Sequence, residues 1–297
     1  MKILITGANG MLGQHLVKHL LDKNYDVIAT GIGPSRLPFQ ETKQFNYTEL
    51  DITDGPVVNS RIVQLHPEVI IHAAAMTQVD QCEEQKIACW NLNVTATRFL
   101  LDAAKEISSR FIFISTDFVF DGLHGPYSEN TEPSPVNYYG SSKWGAEKAV
   151  EESGLVWTIV RTVLLTGNPV TGTRQNIITW VKDKLQKGEK IRVVDDQYRT
   201  PTFVEDLAAG IMLVLEKNAR GIYHISGKDA LTPYDIAIET ARLLKLDERL
   251  IEKVDSASLS QLAVRPVRTG LIISKAETEL GYRPHSFRES LEKMFTA

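Results

Sequence analysis

The sequence predicts an α/β fold: a Rossmann-type doubly wound parallel sheet with a smaller C-terminal substrate domain. Three observations carry that expectation. Short, nearly continuous apolar runs alternate with longer amphipathic runs, as in a parallel sheet covered by helices on both faces. Three glycines, Gly7, Gly10 and Gly13, stand between the first apolar run and the first amphipathic one. Beyond about residue 165 the texture changes to shorter elements separated by Gly, Pro and Thr.

The elements follow in order. Lys2–Thr6 (KILIT) is a strand, and Met11–Leu21 carries Leu12, Leu16 and Leu20 at helical spacing. Asp26–Thr30 is a second strand, and a third is expected before Asp51. Val69–His72, Phe111–Ser115 and Val156–Val160 continue the sheet, with helices at Glu83–Lys105 and Tyr138–Glu152 between them. Right-handed crossovers wind such a chain into an open sheet. Thr166–Arg174 (TGNPVTGTR) reads as a loop, Gln175–Gln186 as a helix, then short strands, then a helix at Phe203–Leu215 and a strand at Gly221–Ser226. The remainder mixes short helices and loops around Pro233, Pro266 and Pro284. Residues 1–165 are thus assigned to the first domain and 166–297 mainly to the second, with 203–226 able to pack back onto the first.

Composition sets the class without touching the chemistry. The 297 residues give a prior of roughly two domains, or one large one. A chain this long buries roughly three quarters of its unfolded surface, so a core forms readily. Lys plus Arg is 33 against 37 Asp plus Glu, a net charge of −4, too near balance for a nucleic-acid binder working by mass of charge. The longest apolar run, Leu207–Leu215, is far short of the roughly 20 residues that span a bilayer, so no membrane partner is expected. The opening Met1-Lys2-Ile3-Leu4-Ile5-Thr6-Gly7 has no signal-like region, and Cys82 and Cys89 build no disulfide framework. A cytoplasmic, reducing location is the expectation. Asn46-Tyr47-Thr48 and Asn93-Val94-Thr95 fit the glycosylation pattern by chance.

Gly7-Ala8-Asn9-Gly10-Met11-Leu12-Gly13 has the strand-before, helix-after context of a dinucleotide site, in the spacing G-x-x-G-x-x-G. Gly7 would turn the chain, Gly10 would admit a pyrophosphate against backbone, and Gly13 would let helix and strand pack closely. The helix N-terminus would then meet the phosphates. An NAD site usually carries Asp or Glu at the end of the second strand. Here Ala29-Thr30-Gly31-Ile32-Gly33-Pro34 leads instead to Ser35 and Arg36, which suit a 2′-phosphate, so NADP(H) is the expected cofactor. Asp51 and Ile52 are placed to meet the adenine, although helix capping by Asp51 or Asp54 reads nearly as well.

Tyr139-Gly140-Ser141-Ser142-Lys143 puts Tyr139 and Lys143 on one face of a predicted helix. A neighbouring ammonium favours phenolate, so Lys143 is expected to lower the Tyr139 pKa, making Tyr139 a general acid for carbonyl reduction. Lys143 would also hold the nicotinamide ribose. Thr116 follows the strand Phe111–Ser115, at the carboxyl edge where open parallel sheets bind ligands, and its hydroxyl would orient the substrate carbonyl.

Together, Gly7, Gly10 and Gly13, Ser115-Thr116-Asp117, and Tyr139 with Lys143 resemble the extended short-chain dehydrogenase/reductases, closest to the dTDP-4-dehydrorhamnose reductases. Further support comes from His72–Asp80, Ser115–Gly122, Arg161-Thr162, Asp195–Thr202 and Leu280–Pro284. The resemblance implies hydride transfer to the C4 keto carbon of a nucleotide-linked sugar, with Tyr139, Lys143 and Thr116 in the roles just given. It also implies Ala73, Ala74 and Ala75 along the cofactor, Asn93 anchoring the site through a water, and Thr77, Thr116, Asp117, Phe118 and Arg199 toward the substrate. Two departures concern the sugar. Arg161-Thr162-Val163-Leu164 lacks the family's Trp, and Arg199 replaces a favoured Gly, either to grip a diphosphate or to pair with an acid.

Two rival readings share these residues. One is a nucleotide-sugar epimerase or dehydratase using NAD, which the missing acid after the second strand opposes. The other is a non-catalytic NADP-binding subunit, like the family's regulator of methionine adenosyltransferase, which has no need of the Thr116, Tyr139, Lys143 set. A homodimer is compatible with either. Trp90, Trp144, Trp157 and Trp180 read as core or interface packing, Cys82 and Cys89 as small buried groups, and His15 with His19 lack a third ligand, so no metal is expected.

Overall fold

A computed structural model describes residues 1–168 and 172–296. The strands are β1 (Lys2–Thr6), β2 (Asp26–Gly31), β3 (Phe45–Glu49), β4 (Val69–His72), β5 (Arg110–Thr116), β6 (Trp157–Thr162), β7 (Leu165–Thr166), β8 (Ile191–Val194), β9 (Thr202–Phe203), β10 (Gly221–His224) and β11 (Ile251–Val254). The helices are α1 (Met11–Asp22), α2 (Gly55–Leu65), α3 (Val79–Glu84), α4 (Lys86–Trp90), α5 (Ala96–Glu106), α6 (Tyr138–Glu151), α7 (Ile177–Gln186), α8 (Val204–Glu216), α9 (Pro233–Leu243) and α10 (Phe287–Thr296).

The main sheet has seven strands in the order β10-β6-β5-β4-β1-β2-β3. Every pairing is parallel, with Ile3 beside Val27 and Val69 in the centre. Ile3, Leu4 and Ile5 are fully buried, as the near-continuous apolar run requires of a strand covered on both faces. Their alternation splits the core. Ile3 and Ile5 pack toward α1 and α8, while Leu4 packs toward α2, α5 and α6. Burying each such side chain stabilises the fold by about 2 kcal/mol.

Residues 204–224 return to this sheet: α8 packs on α1 and β10 forms the edge beside β6. The smaller unit comprises α7, α9 and α10 with the parallel pair β8–β11, around Val181, Val193, Ile238 and Ile251. The helix expected from Gln175 begins at Ile177. Asn176 caps it by accepting from the N–H groups of Ile178 and Thr179, while the Thr179 hydroxyl donates to the Asn176 carbonyl.

The single helix expected over Glu83–Lys105 is instead four segments. Gln85 (φ −117°, ψ 54°) breaks α3 from α4, and a π-turn at Asn91–Thr95 precedes α5. The apolar period survives the breaks, which is why the sequence hides them. The π-turn also turns Asn93 inward, and π-bulges recur at functional sites. Among the described residues, no helix is long and apolar enough to cross a membrane, and no three His, Cys, Asp or Glu groups could hold a metal ion.

Candidate active site

The glycine loop joins β1 to α1 across the top of the sheet. Gly7 turns at φ +72°, and Gly13 sits where a Cβ would lie 2.4 Å from the Gly7 carbonyl oxygen and 2.6 Å from Ala8 Cα. Both obstacles are backbone, so only glycine lets α1 start this close to β1. Gly10 is the N-cap of α1 and supplies no side-chain acceptor, leaving first-turn amides facing out of the loop. An open, uncapped helix N-terminus of twelve residues fits the pyrophosphate of a dinucleotide. Met11 is partly buried, and Leu12 is core.

Asn9 organises the adjoining rim. Its Oδ1 accepts from the Arg36 N–H (2.8 Å), and its Nδ2 donates to the Pro34 carbonyl (3.1 Å) and to Tyr47 Oη (2.9 Å). Ser35 and Arg36 are exposed there, and the Arg36 guanidinium donates to the Gly172 carbonyl (2.9 Å). One carboxylate does reach this turn, but from β3: Glu49 Oε1 accepts from the Gly33 N–H (2.9 Å). Asp51 is exposed and holds Thr53 through its hydroxyl and N–H, while Asp54 caps α2. Ile52 departs from expectation. It is 4 % exposed in the core beneath the sheet, so it offers almost no face to an adenine ring.

Thr116 ends β5, and Tyr139 and Lys143 lie on the first turns of α6. Asn137 caps α6 by accepting from the Gly140 N–H (2.8 Å). A Cβ on Gly140 would stand 2.1 Å from the Phe118 carbonyl oxygen, so this glycine lets α6 press against the segment after β5. The result brings the Thr116 hydroxyl beside the Tyr139 phenol, where it pulls the phenol's pKa down. Phe118 packs edge-on to Tyr139, with ring centroids 5.7 Å apart. Lys143 Nζ donates to the Ile114 carbonyl (2.8 Å) and lies 4.0 Å from the centre of the Phe113 ring.

The electrostatics correct one expectation. Burial holds the Tyr139 phenol well above its ordinary range, outweighing the Thr116 contact, and Lys143 is not among the groups that move it. The ammonium is spent on the Ile114 carbonyl. Burial also draws Lys143 itself down to about 7, against the pull of Glu147 and Cys89. Tyr139 therefore keeps its proton, the state a general acid needs.

A buried network joins this site to the glycine loop. Thr97 Oγ1 donates its only proton to the Asn93 carbonyl (2.7 Å), so it accepts from His72 Nε2 (3.0 Å). His72 Nδ1 then accepts from Thr6 Oγ1 (2.7 Å), which itself accepts from the Ala74 N–H (3.2 Å). Burial keeps His72 neutral, with its pKa pushed down to about 3. Asn93 does directly what was expected through a water. Its side chain exchanges hydrogen bonds with the N–H and carbonyl of Met76 (2.8 and 3.1 Å) and donates to Ser142 Oγ (2.9 Å). Ala73, Ala74 and Ala75 are half-buried between these anchors, and Thr77 is exposed. Cys82 and Cys89 are buried beneath Tyr139 and in mutual contact, Cys89 also donating to Ser142 Oγ (3.4 Å).

Arg199 and Asp117 do not open toward a ligand. Asp117 is 1 % exposed, accepts from Thr116 Oγ1 (3.1 Å) and from the Thr269 hydroxyl, and lies in the field of Arg199. Burial pushes its carboxyl up all the same. Arg199 is 5 % exposed and donates to the carbonyls of Tyr198 (2.8 Å), Val267 (3.2 Å) and Pro266 (2.6 Å). Its donors are thus taken up by backbone carbonyls, which leaves them too occupied to grip a diphosphate, and Asp117 acts on it only through its field.

The Val267 and Pro266 carbonyls belong to a strap, residues 263–270, that no sequence pattern singles out. Arg265 forks onto Asp80 (2.6 and 2.7 Å), the Ala263 N–H donates to the same carboxylate (2.9 Å), and Asn137 Nδ2 donates to the Val264 carbonyl (2.9 Å). The Arg265 pair holds the Asp80 carboxyl down at about 2. Asp80 and Arg265 are 185 residues apart, so no local pattern announces the pairing. Glu147 was findable, since it stands one helical turn beyond Lys143.

Comparison with known proteins agrees with this architecture. The sequence profile described as RmlD substrate binding domain matches residues 1–297. Methionine adenosyltransferase 2 subunit beta of Rattus norvegicus is 33% identical over 283 residues, covering 93% of this chain and 82% of the relative. The dTDP-4-dehydrorhamnose reductase of Aggregatibacter actinomycetemcomitans is 31% identical over 306 residues, covering 99% and 98%. The crystal structure of dTDP-4-dehydrorhamnose reductase from Bacillus anthracis in complex with NADP superposes with a TM-score of 0.88 at 28% identity, covering 99% and 98%. The chain belongs to the RmlD substrate-binding-domain family of the extended short-chain dehydrogenase/reductases.

Proposed function

We propose that this protein is an NADPH-dependent reductase of a nucleotide-linked 4-keto sugar, with dTDP-4-dehydro-L-rhamnose, reduced to dTDP-L-rhamnose, as the first substrate to test. The observation that carries the reading is the meeting of Thr116, Tyr139 and Lys143 at the carboxyl edge of the sheet, beside an uncapped glycine cradle. The reduced nicotinamide supplies the hydride. Tyr139, held protonated by burial, gives its proton to the developing alkoxide, and Thr116 orients the carbonyl oxygen beside it. Lys143, held at the Ile114 carbonyl, would bind the nicotinamide ribose. Phe118 and Thr77 lie on the substrate side, and Arg199 with Asp117 brace that wall rather than touch the sugar.

The first-domain roles follow the cradle. Gly7, Asn9, Gly10, Met11 and Gly13 bind the pyrophosphate side, Ser35 and Arg36 the 2′-phosphate, and Ala73–Ala75 the nicotinamide half. Residues 1–165 with 203–226 hold the cofactor, and the rest of 166–297 shapes the substrate side. Ile87, 80 % exposed, and Trp90, 38 % exposed, form an apolar face with Tyr138 that we assign to a second copy of the chain, to be checked by light scattering. Two free thiols and a need for NADPH suit the cytoplasm.

The deciding experiment is the loss of NADPH absorbance with dTDP-, UDP- and GDP-linked 4-keto sugars. Turnover with one of them supports the reading. Tight NADPH binding without turnover favours the second reading, an NADP-binding regulatory subunit, which the 33% identity to methionine adenosyltransferase 2 subunit beta motivates. Product formation with catalytic NAD and no net reduction would favour an epimerase or dehydratase.

A further inference from the structure

We propose that Glu147, clamped by Arg161, is the positioning residue that keeps Lys143 a cation in the buried site. The proposal rests on the reading of Lys143 as the lysine of a reductase site, yet its test does not need turnover.

Lys143 is 3 % exposed, and its two contacts, the Ile114 carbonyl and the Phe113 ring, carry no formal charge. An ammonium so buried sheds its proton unless an anion stands near. Glu147 is one helical turn along the same face of α6 and is 1 % exposed. It does not wander. Arg161 on β6, 2 % exposed, forks onto it, Nε to Oε1 at 3.0 Å and Nη2 to Oε2 at 2.6 Å. One carboxylate, held in place by the Arg161 fork, therefore stands in the field of two buried cations on different elements. A fork alone would satisfy a structural pair. What makes this pair more is its place, one helical turn from a lysine whose own two contacts are uncharged.

The other groups facing Lys143 do not substitute. Cys89 on α4 supports its charge more weakly than Glu147 does, and His72 on β4 is neutral. Tyr139 on α6 is a protonated phenol, and the Asp117 carboxylate acts on Tyr139.

The geometry predicts two shifts of opposite sign. Glu147→Gln removes the anion, so Lys143 should lose its proton at lower pH. Arg161→Met removes the competing cation and leaves Glu147 to Lys143 alone, so the proton should be held to higher pH. The measurement is the pH titration of lysine 13Cε resonances in the cofactor-free full chain, Lys143 being the signal lost in Lys143→Arg. About a tenfold change in proton affinity, one pH unit, is expected in each direction. Glu147→Asp, which retracts the carboxylate by one methylene, should shift the midpoint downward by less, and it stands in should the other variants fail to fold. Midpoints that stay put in folded variants, or that move together, would overturn the proposal. Because no substrate enters this titration, its failure is separate from failure of the reductase reading, which shows as absent turnover.

Discussion

Moving the pH from 7 to 5 should cost this protein about 4 kcal/mol of stability, because it folds around two histidines that it keeps neutral. His72 and His224 each fall from 6.5 to about 3 on folding, burial being the first cause in both. The folded state thus binds fewer protons than the unfolded state below 6.5, so stability falls as pH falls through 6.5 and goes on falling until about 3. Between pH 7 and 5 each histidine contributes a loss of about 2 kcal/mol. Asp117 and Glu151, whose carboxyls burial raises, work in the opposite direction. Asp80 titrates near 2, and Lys143, near 7, adds a few tenths of a kcal/mol at about the same sign. His15 and His19, also lowered by burial, push the same way. The assay is urea unfolding at the two pH values. His72→Gln, which cannot titrate, should remove roughly half of the difference. Equal stability at both pH values, or an undiminished slope in the His72 variant, would refute the reasoning. The mechanism is specific, since His72 Nδ1 must accept from Thr6, and a proton there breaks the chain that positions the Ala74 N–H.

Other outcomes test the site directly. Tyr139→Phe should lower kcat by about 100-fold or more, the range of a lost general acid, while NADPH affinity by fluorescence titration stays nearly constant. Activity that persists would move the acid role elsewhere. Arg36→Ala should weaken NADPH far more than NADH, since the cofactors differ only in the 2′-phosphate; equal losses would return Arg36 to its place against Gly172.

Much of the fold was legible because it is written in local periods. The strands at Lys2–Thr6 and Val69–His72 carry the unbroken apolar runs Ile3-Leu4-Ile5 and Val69-Ile70-Ile71, and the glycines at 7, 10 and 13 sit between strand and helix. Tyr139 and Lys143 were legible for a like reason, since a single helix carries both. What stayed hidden depends on distant partners or on burial. The break at Gln85 leaves the apolar spacing intact. Ile52 could be placed beside an adenine on paper because sequence does not say which aliphatic enters the core. Arg199 looked like a phosphate ligand because a lone arginine shows its charge but not the carbonyls of Val267 and Pro266 that consume it. Lys143 looked free to tune Tyr139 because the Ile114 carbonyl that holds it comes from β5, 29 residues away in sequence.

The strap also has a consequence for how the protein is made. The glycine cradle, β5 and α6 all precede residue 152 in the chain, so the cofactor side can begin to fold while synthesis continues. The edge strand β10 arrives later, and the anchors that brace Asp80, Asn137 and Asp117 come from Ala263, Val264, Arg265 and Thr269, later still. A nascent chain therefore has Thr116, Tyr139 and Lys143 well before it has the strap that braces their surroundings. Truncation ahead of Ala263 should leave a sheet with a cradle but take away the braces on Asp80, Asn137 and Asp117.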